Sequence, residues 1–157
     1  MKTLLQYFLQ TPAAWTLLTA RLTLAVVFFA HGSQKVFGWF GGPGFGGAIK
    51  YFAGLHIPVF FAVLAIAAEF LGSLGLFVGL GTRLAALGLA VNMAVAVVTA
   101  HAANGFFMNW HNEQPGEGIE YHLLVVGLCL ILMIAGGGRF SLDGLLASHL
   151  AVDGAAR

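Results

Sequence analysis

The sequence predicts an all-α membrane protein, a bundle of four transmembrane helices, and three observations carry that expectation. Hydrophobic residues make up 59% of the 157 residues and charged residues only 8%, giving a mean hydropathy of +0.90. The apolar residues gather into runs of about 20, the length a helix needs to cross the hydrocarbon core and too long for a barrel strand. The 22 glycines are spread through those runs, where membrane helices tolerate them. A chain of this length has room for four spans and one substantial loop, so residues 1–157 are expected to form a single transmembrane domain.

The first span is read at 14–36 and carries Arg21. Lys2 ahead of an apolar region invites comparison with a secretory signal. The region is too long, contains Arg21 and lacks a small-residue cleavage site, so it is expected to remain as the first helix. After it comes a glycine-rich, aromatic loop, Gly38-Trp39-Phe40-Gly41-Gly42-Pro43-Gly44-Phe45-Gly46-Gly47. It lacks the lysine and hydroxyl of a phosphate loop and follows no strand. A tight interfacial turn and a short amphipathic helix on the membrane over 48–55 are expected, the other reading being a lid over the outer mouth of the bundle. The second span, 58–80, surrounds Glu69; the third covers 83–103 and the fourth 119–136. Gly136-Gly137-Gly138 stops the last span. Ser141 then reads as the N-cap of a short closing helix with Asp143 in its first turn, where Arg139 and Asp143 are a candidate pair.

Orientation follows from the basic residues. With the N terminus inside, the cytoplasmic side carries Lys2, Arg83, Arg139 and Arg157, against Lys35 and Lys50 outside. N-in, C-in is therefore expected, with the glycine-rich loop extracytoplasmic.

Polar residues within apolar runs are costly and mark candidate sites. At 1.5 Å per residue, Arg21 lies about 10 Å from the inner side and Glu69 about 15 Å from either side, so a long arginine could reach the carboxylate, and an Arg21–Glu69 pair is expected. Near the outer leaflet His31 and Lys35 end the first helix, His101 ends the third, and Glu120 and His122 begin the fourth. His101 and Asn104 share a helix face, whereas Glu120 and His122, two apart, do not. Glu120 is taken as the inward residue of that pair. Neither a His-x-x-x-His nor a Glu-x-x-His spacing supports a metal, and none is expected. Imidazole, carboxylate and interfacial aromatics such as Trp39 and Phe106 suit the polar head of a quinone, with histidine or glutamate exchanging its protons. Cys129, the single cysteine, sits mid-span and reads as a small inert hydrophobe.

The same positions resemble the DoxX family of small four-helix bacterial membrane proteins. The likeness is carried by Arg21, by His31-Gly32 with Lys35, by Gly38-Trp39-Phe40-Gly41-Gly42, and by Glu69. It continues through Gly79-Leu80-Gly81-Thr82-Arg83, Asn92-Met93, His101, Gly105-Phe106 and Glu120, and ends on Gly138 and Ser141-Leu142-Asp143. The resemblance implies a multi-pass protein of the bacterial inner membrane. Relatives are linked to a thiosulfate to quinone oxidoreductase and to a complex acting against oxidative and thiol stress. Together these readings point to a redox-associated subunit that binds a quinone or similar lipophilic molecule and assists proton exchange, at most a non-autonomous part of an oxidoreductase. His31, Lys35, His101 and Glu120 would form its outer site, with Arg21 and Glu69 deeper. A non-enzymatic scaffold or small-solute carrier is the alternative. Membrane lipid and redox partner proteins are the expected partners, nucleic acid is not, and Gly72, Gly75 and Gly79 at helical spacing permit a homo-oligomer.

Overall fold

The computed structural model describes residues 4–155, and within them every regular element is helical. Lys2 and Arg157, used in the orientation count, lie outside the described residues. In chain order the helices are α1 (Leu4–Leu9), α2 (Trp15–Phe37), α3 (Gly44–Gly54), α4 (Val59–Val78), α5 (Thr82–Ala96), α6 (Glu120–Ala135) and α7 (Leu142–Ala155). A π-turn over Val97–His101 and a 3-10 turn over Ala102–Asn104 prolong α5. Three helices, Trp15–Phe37, Val59–Val78 and Thr82–Asn104, are long and apolar enough to cross a membrane, and Glu120–Ala135 is a shorter apolar fourth.

The helix ends fall where the backbone chemistry requires. α2 stops at Gly38 (φ 75°) and α4 at Gly79 (φ 69°), both in the left-handed conformation that glycine adopts without a Cβ penalty. Pro58 precedes α4, where its missing N–H costs nothing.

The four long helices form a ring: α2 packs on α4 and α6, and α5 packs on α4 and α6. Their shared core includes Leu24, Phe28, Leu76, Leu89, Val125, Cys129 and Leu132. α2 and α4 approach closely because Gly32 has no side chain; a Cβ there would sit 2.7 Å from the Phe70 Cα. The outward face is apolar too. On α5, Leu84, Leu87, Val91, Val95 and Val98 are all exposed, a stripe that water would penalise and lipid accepts.

α3 does more than the short interfacial helix of the expectation. It packs on α2 and α4, and its Tyr51 and Phe52 help line a cavity. The closing helix α7, 14 residues long, packs against α1, with the Gln6 amide donating to the Leu150 carbonyl at 2.8 Å.

Candidate functional site

Glu69 lies on the buried face of α4 with Ile66, Ser73 and Leu76, a spacing of three and four that points it into the bundle. Its two carboxylate oxygens are taken by different helices. Lys35 Nζ of α2 donates to Oε2 at 2.5 Å, and Asn92 Nδ2 of α5 donates to Oε1 at 2.9 Å. The pair is largely buried, the lysine side chain retaining 22% of its exposure and the glutamate 6%.

The expected Arg21–Glu69 pair does not form. Cα–Cβ bonds tilt toward the N terminus of their own helix. α2 and α4 are joined by a short connection and run in opposite directions, so Arg21 leans to one end of the bundle and Glu69 to the other. Lys35, further along α2, leans back toward Glu69. Direction along the helix, rather than reach, decides the partner.

Above this pair opens a cavity of about 350 Å³. Glu69, Lys35 and Asn92 line its deep end, since Asn92 precedes His101 by nine residues, about 14 Å of helix. His31, His101, Tyr121 and His122 line it further out, and Phe52 and Leu55 close the side. The His101 and His122 rings lie with centroids 4.2 Å apart. His101 Nδ1 is 2.9 Å from the Glu117 carbonyl oxygen. A carbonyl only accepts, so Nδ1 carries the hydrogen and the neutral ring keeps Nε2 as a free acceptor. Asn104 Nδ2 donates to the same oxygen at 3.0 Å, as a shared helix face with His101 allows. The π-turn that ends on His101 widens α5 at the cavity, a distortion common at functional sites. Tyr121 and His122 both line the cavity; the Tyr121 hydroxyl is itself buried without a hydrogen-bond partner among the described residues, and His122 has the Gly118 backbone as a hydrogen-bonding neighbour.

Glu120, taken from sequence as inward, lies outside the cavity lining; His122 takes that position. The buried stripe of α6 is His122, Val125, Cys129 and Leu132, and at 100° per residue Glu120 stands about 200° from His122. The stripe itself was the signal, visible in the sequence as spacings of three and four.

Arg21 belongs to the opposite end of the bundle. It is 1% exposed, and its Nη2 donates to the carbonyls of Arg139 (3.4 Å) and Phe140 (3.2 Å). Phe140 holds a φ of 53°, a strained conformation for an aromatic residue. The expected Arg139–Asp143 pair is also absent. The Arg139 guanidinium sits 4.7 Å over the Trp15 ring. Asp143 accepts the backbone N–H groups of Gly81 at 2.8 Å and Thr82 at 2.9 Å, capping α5 across the bundle because those donors are unsatisfied at a helix start. Ser141 caps α7 as expected, accepting from Gly144 N at 3.2 Å.

Sequence reasoning missed Asn92, Tyr121 and the Lys35–Glu69 pair. Asn92 carried the same signal as Glu69, a polar side chain inside an apolar run. Among the described residues no group of three or more His, Cys, Asp or Glu is disposed to hold a metal ion.

A ring of apolar helices with a buried charged pair and a cavity lined in part by polar side chains defines a helical integral membrane protein. The chain belongs to the DoxX family, whose sequence pattern matches residues 16–102 and so spans Arg21, His31, Lys35, Glu69, Asn92 and His101 but stops short of Tyr121 and His122. It is similar to the "Putative oxidoreductase CatD" of Bacillus subtilis, 28% identical over 78% of this chain and 80% of that protein. It is likewise similar to the "Inner membrane protein YqjF" of Escherichia coli, 30% identical over 82% of this chain and 90% of that protein. No solved structure matches the chain. Its family, its relatives and its apolar helices make it a multi-pass protein of the bacterial inner membrane.

Proposed function

We propose that the protein is a redox-associated membrane subunit that binds a quinone in the cavity at the Lys35 end and exchanges protons with it. The observation that carries this reading is the gathering of His31, Lys35, Glu69, His101, Tyr121 and His122 on the wall of one cavity whose remaining lining is largely apolar. A few polar groups set around a small apolar space suit a ring that carries carbonyl oxygens. A cavity of about 350 Å³ lies at the lower end of the range for small-molecule sites.

A quinone, when bound, accepts two electrons and two protons on becoming a quinol. The chain has no thiol pair to supply electrons, Cys129 being single and buried, so the electrons come from a partner protein; the relative named as an oxidoreductase supports a redox setting. The chain's own part is proton handling and orientation. The Tyr121 hydroxyl donates to a ring oxygen, and His101 Nε2, the free acceptor, takes up or passes a proton. The Lys35–Glu69 pair fixes the charge at the deep end. The distribution of basic residues supports N-in, C-in within one transmembrane domain, which opens the cavity to the extracytoplasmic face.

The test is the quinone retained per protein after purification in native nanodiscs, measured by mass spectrometry against a His101→Ala, His122→Ala variant of equal thermal stability. Stoichiometric quinone in the unmodified protein and its loss in the variant is the expected outcome. Equal background levels in both would sink the reading and put a non-enzymatic scaffold or solute carrier in its place.

A further inference from the structure

Asn92 belongs to the walls of two spaces. A second, larger and almost wholly apolar groove of about 690 Å³ runs along the outer face of α4 and α5, and Phe52, Ile57, Asn92 and Val95 line both spaces. Lined on α5 from Leu84 through Val91 to Val95, it follows that helix over twelve residues, about 16 Å, or roughly half the 30 Å hydrocarbon core.

Glycines line the groove, and their surroundings differ from those of Gly32 at the α2–α4 contact. At Gly32 the missing Cβ permits helix contact, since a Cβ would meet the Phe70 backbone at 2.7 Å. At Gly72, which lines the groove, a Cβ would lie 3.8 Å from the Ala85 Cβ, an ordinary contact without a clash. Any residue but proline would be a better helix former there, by up to about 1 kcal/mol. Gly72 thus adds no side chain to the groove's wall on the lipid side, and Asn92, hydrogen-bonded to Glu69, belongs to the walls of both the groove and the cavity.

We infer that the groove holds the prenyl tail of the same quinone whose ring occupies the cavity, so that the ligand is a long-chain quinone reaching its site sideways from the bilayer between α4 and α5. The inference rests on the quinone reading above and commits to one occupant because Phe52, Ile57, Asn92 and Val95 form walls of both spaces. A lipid chain or a second copy of the protein on this face would have no use for a wall shared with the cavity.

The test compares two probes on nanodisc-embedded protein: a long-chain polyprenyl ubiquinone and the same ring without its tail. Gly72→Leu fills the groove from α4, and Val91→Trp, at a position 55% exposed, fills it from α5 should the first variant fail to fold. The expected result is a loss of about tenfold or more in affinity for the long-chain probe, with the tail-less ring bound within about twofold of the unmodified protein. Long-chain affinity unchanged in variants with unaltered thermal transitions overturns the inference while leaving the quinone reading intact, provided the tail-less ring still binds and still depends on His101. Parallel weakening of both probes also overturns it, because the groove then acts only through the cavity. So does a variant that separates a dimer, or sheds a co-purifying phospholipid, while retaining its long-chain quinone. Failure of the unmodified protein to bind either probe removes both the inference and the reading beneath it.

Discussion

The two ends of the bundle bury charge in opposite ways. At the Arg21 end the chain closes over its polar groups. Asp143 is saturated by the α5 start, Arg83 donates to the Met133 and Ile134 carbonyls at the end of α6 and to those of Phe8 and Gln10, and the Gly138 N–H donates to Thr11 at 2.7 Å. Some groups there lack partners too, among them Arg21 Nε and Nη1 and the Thr82 hydroxyl. They are pressed against glycines, and a Cβ on Gly79 would overlap the Arg21 guanidinium itself. At the Lys35 end His31, Lys35, Glu69, His101, Tyr121 and His122 line open space instead. What separates a structural charge from a functional one in this membrane protein is room beside it, not burial or bonding alone.

The largest effect that could break this comparison is expected at the closed end. Arg21→Ala leaves the Arg139 and Phe140 carbonyls without their donor, a loss of about 3–5 kcal/mol at about 1.5–3 for each bond to a charged group. Thermal unfolding in detergent should register it, and Gly79→Ala should behave alike because its φ of 69° and the guanidinium both exclude a methyl group. Quinone retention by whatever fraction stays folded should be unchanged. A well-folded Arg21→Ala protein that had lost its ligand would place Arg21 in the functional site and erase the contrast.

A smaller but two-sided effect is expected from Glu69→Gln. The amide keeps the shape but leaves Lys35 without its countercharge; with the lysine 22% exposed, water softens the loss to about 1–3 kcal/mol. Ligand affinity should fall by about tenfold because the deep end of the cavity changes charge. Restoring stability with Lys35→Met in the same chain, without restoring binding, would separate the two contributions; restored binding would show that the pair only supports the fold.

Much of this architecture was legible before any coordinates. Hydropathy and length located the spans to within a few residues, and depth brought His31, Lys35, His101 and the start of α6 to one end. Failures came where direction matters rather than depth. The tilt of Cβ bonds sends Arg21 away from Glu69, and rotation about α6 turns His122 inward in place of Glu120. Both rules act on sequence alone. The π-turn at Val97–His101 and the pairing of Asp143 with Gly81 and Thr82 were beyond reach, because each depends on a neighbouring helix that only the assembled bundle supplies.

Tyr121→Phe sharpens the comparison with an effect of opposite sign on two observables. Its hydroxyl is buried without a partner, so removing it should leave thermal stability unchanged or raise it by up to about 1 kcal/mol. If the hydroxyl donates to the ligand, affinity for the tail-less ring should fall about three- to tenfold in the same protein. A stability gain with unaltered affinity would mean that the ligand does not use the open end's spare donor.

The smallest effect is expected at Glu120, and it decides between two readings of the same helix. Glu120 is partly exposed at the start of α6, where its backbone N–H donates to the Phe106 carbonyl at 2.9 Å and its negative charge sits favourably at the positive end of the helix dipole. Glu120→Gln should therefore cost no more than about 0.3–1 kcal/mol, diminishing with added salt, and leave ligand affinity untouched. His122→Ala, two residues on, should weaken the ligand and, because His122 is buried, also cost about 2 kcal/mol of stability. Should Glu120→Gln weaken binding more than His122→Ala, the α6 stripe would have to turn by half a revolution when the ligand binds. His122, Val125, Cys129 and Leu132 are packed too deeply into the bundle for that rotation to occur without unfolding the helix.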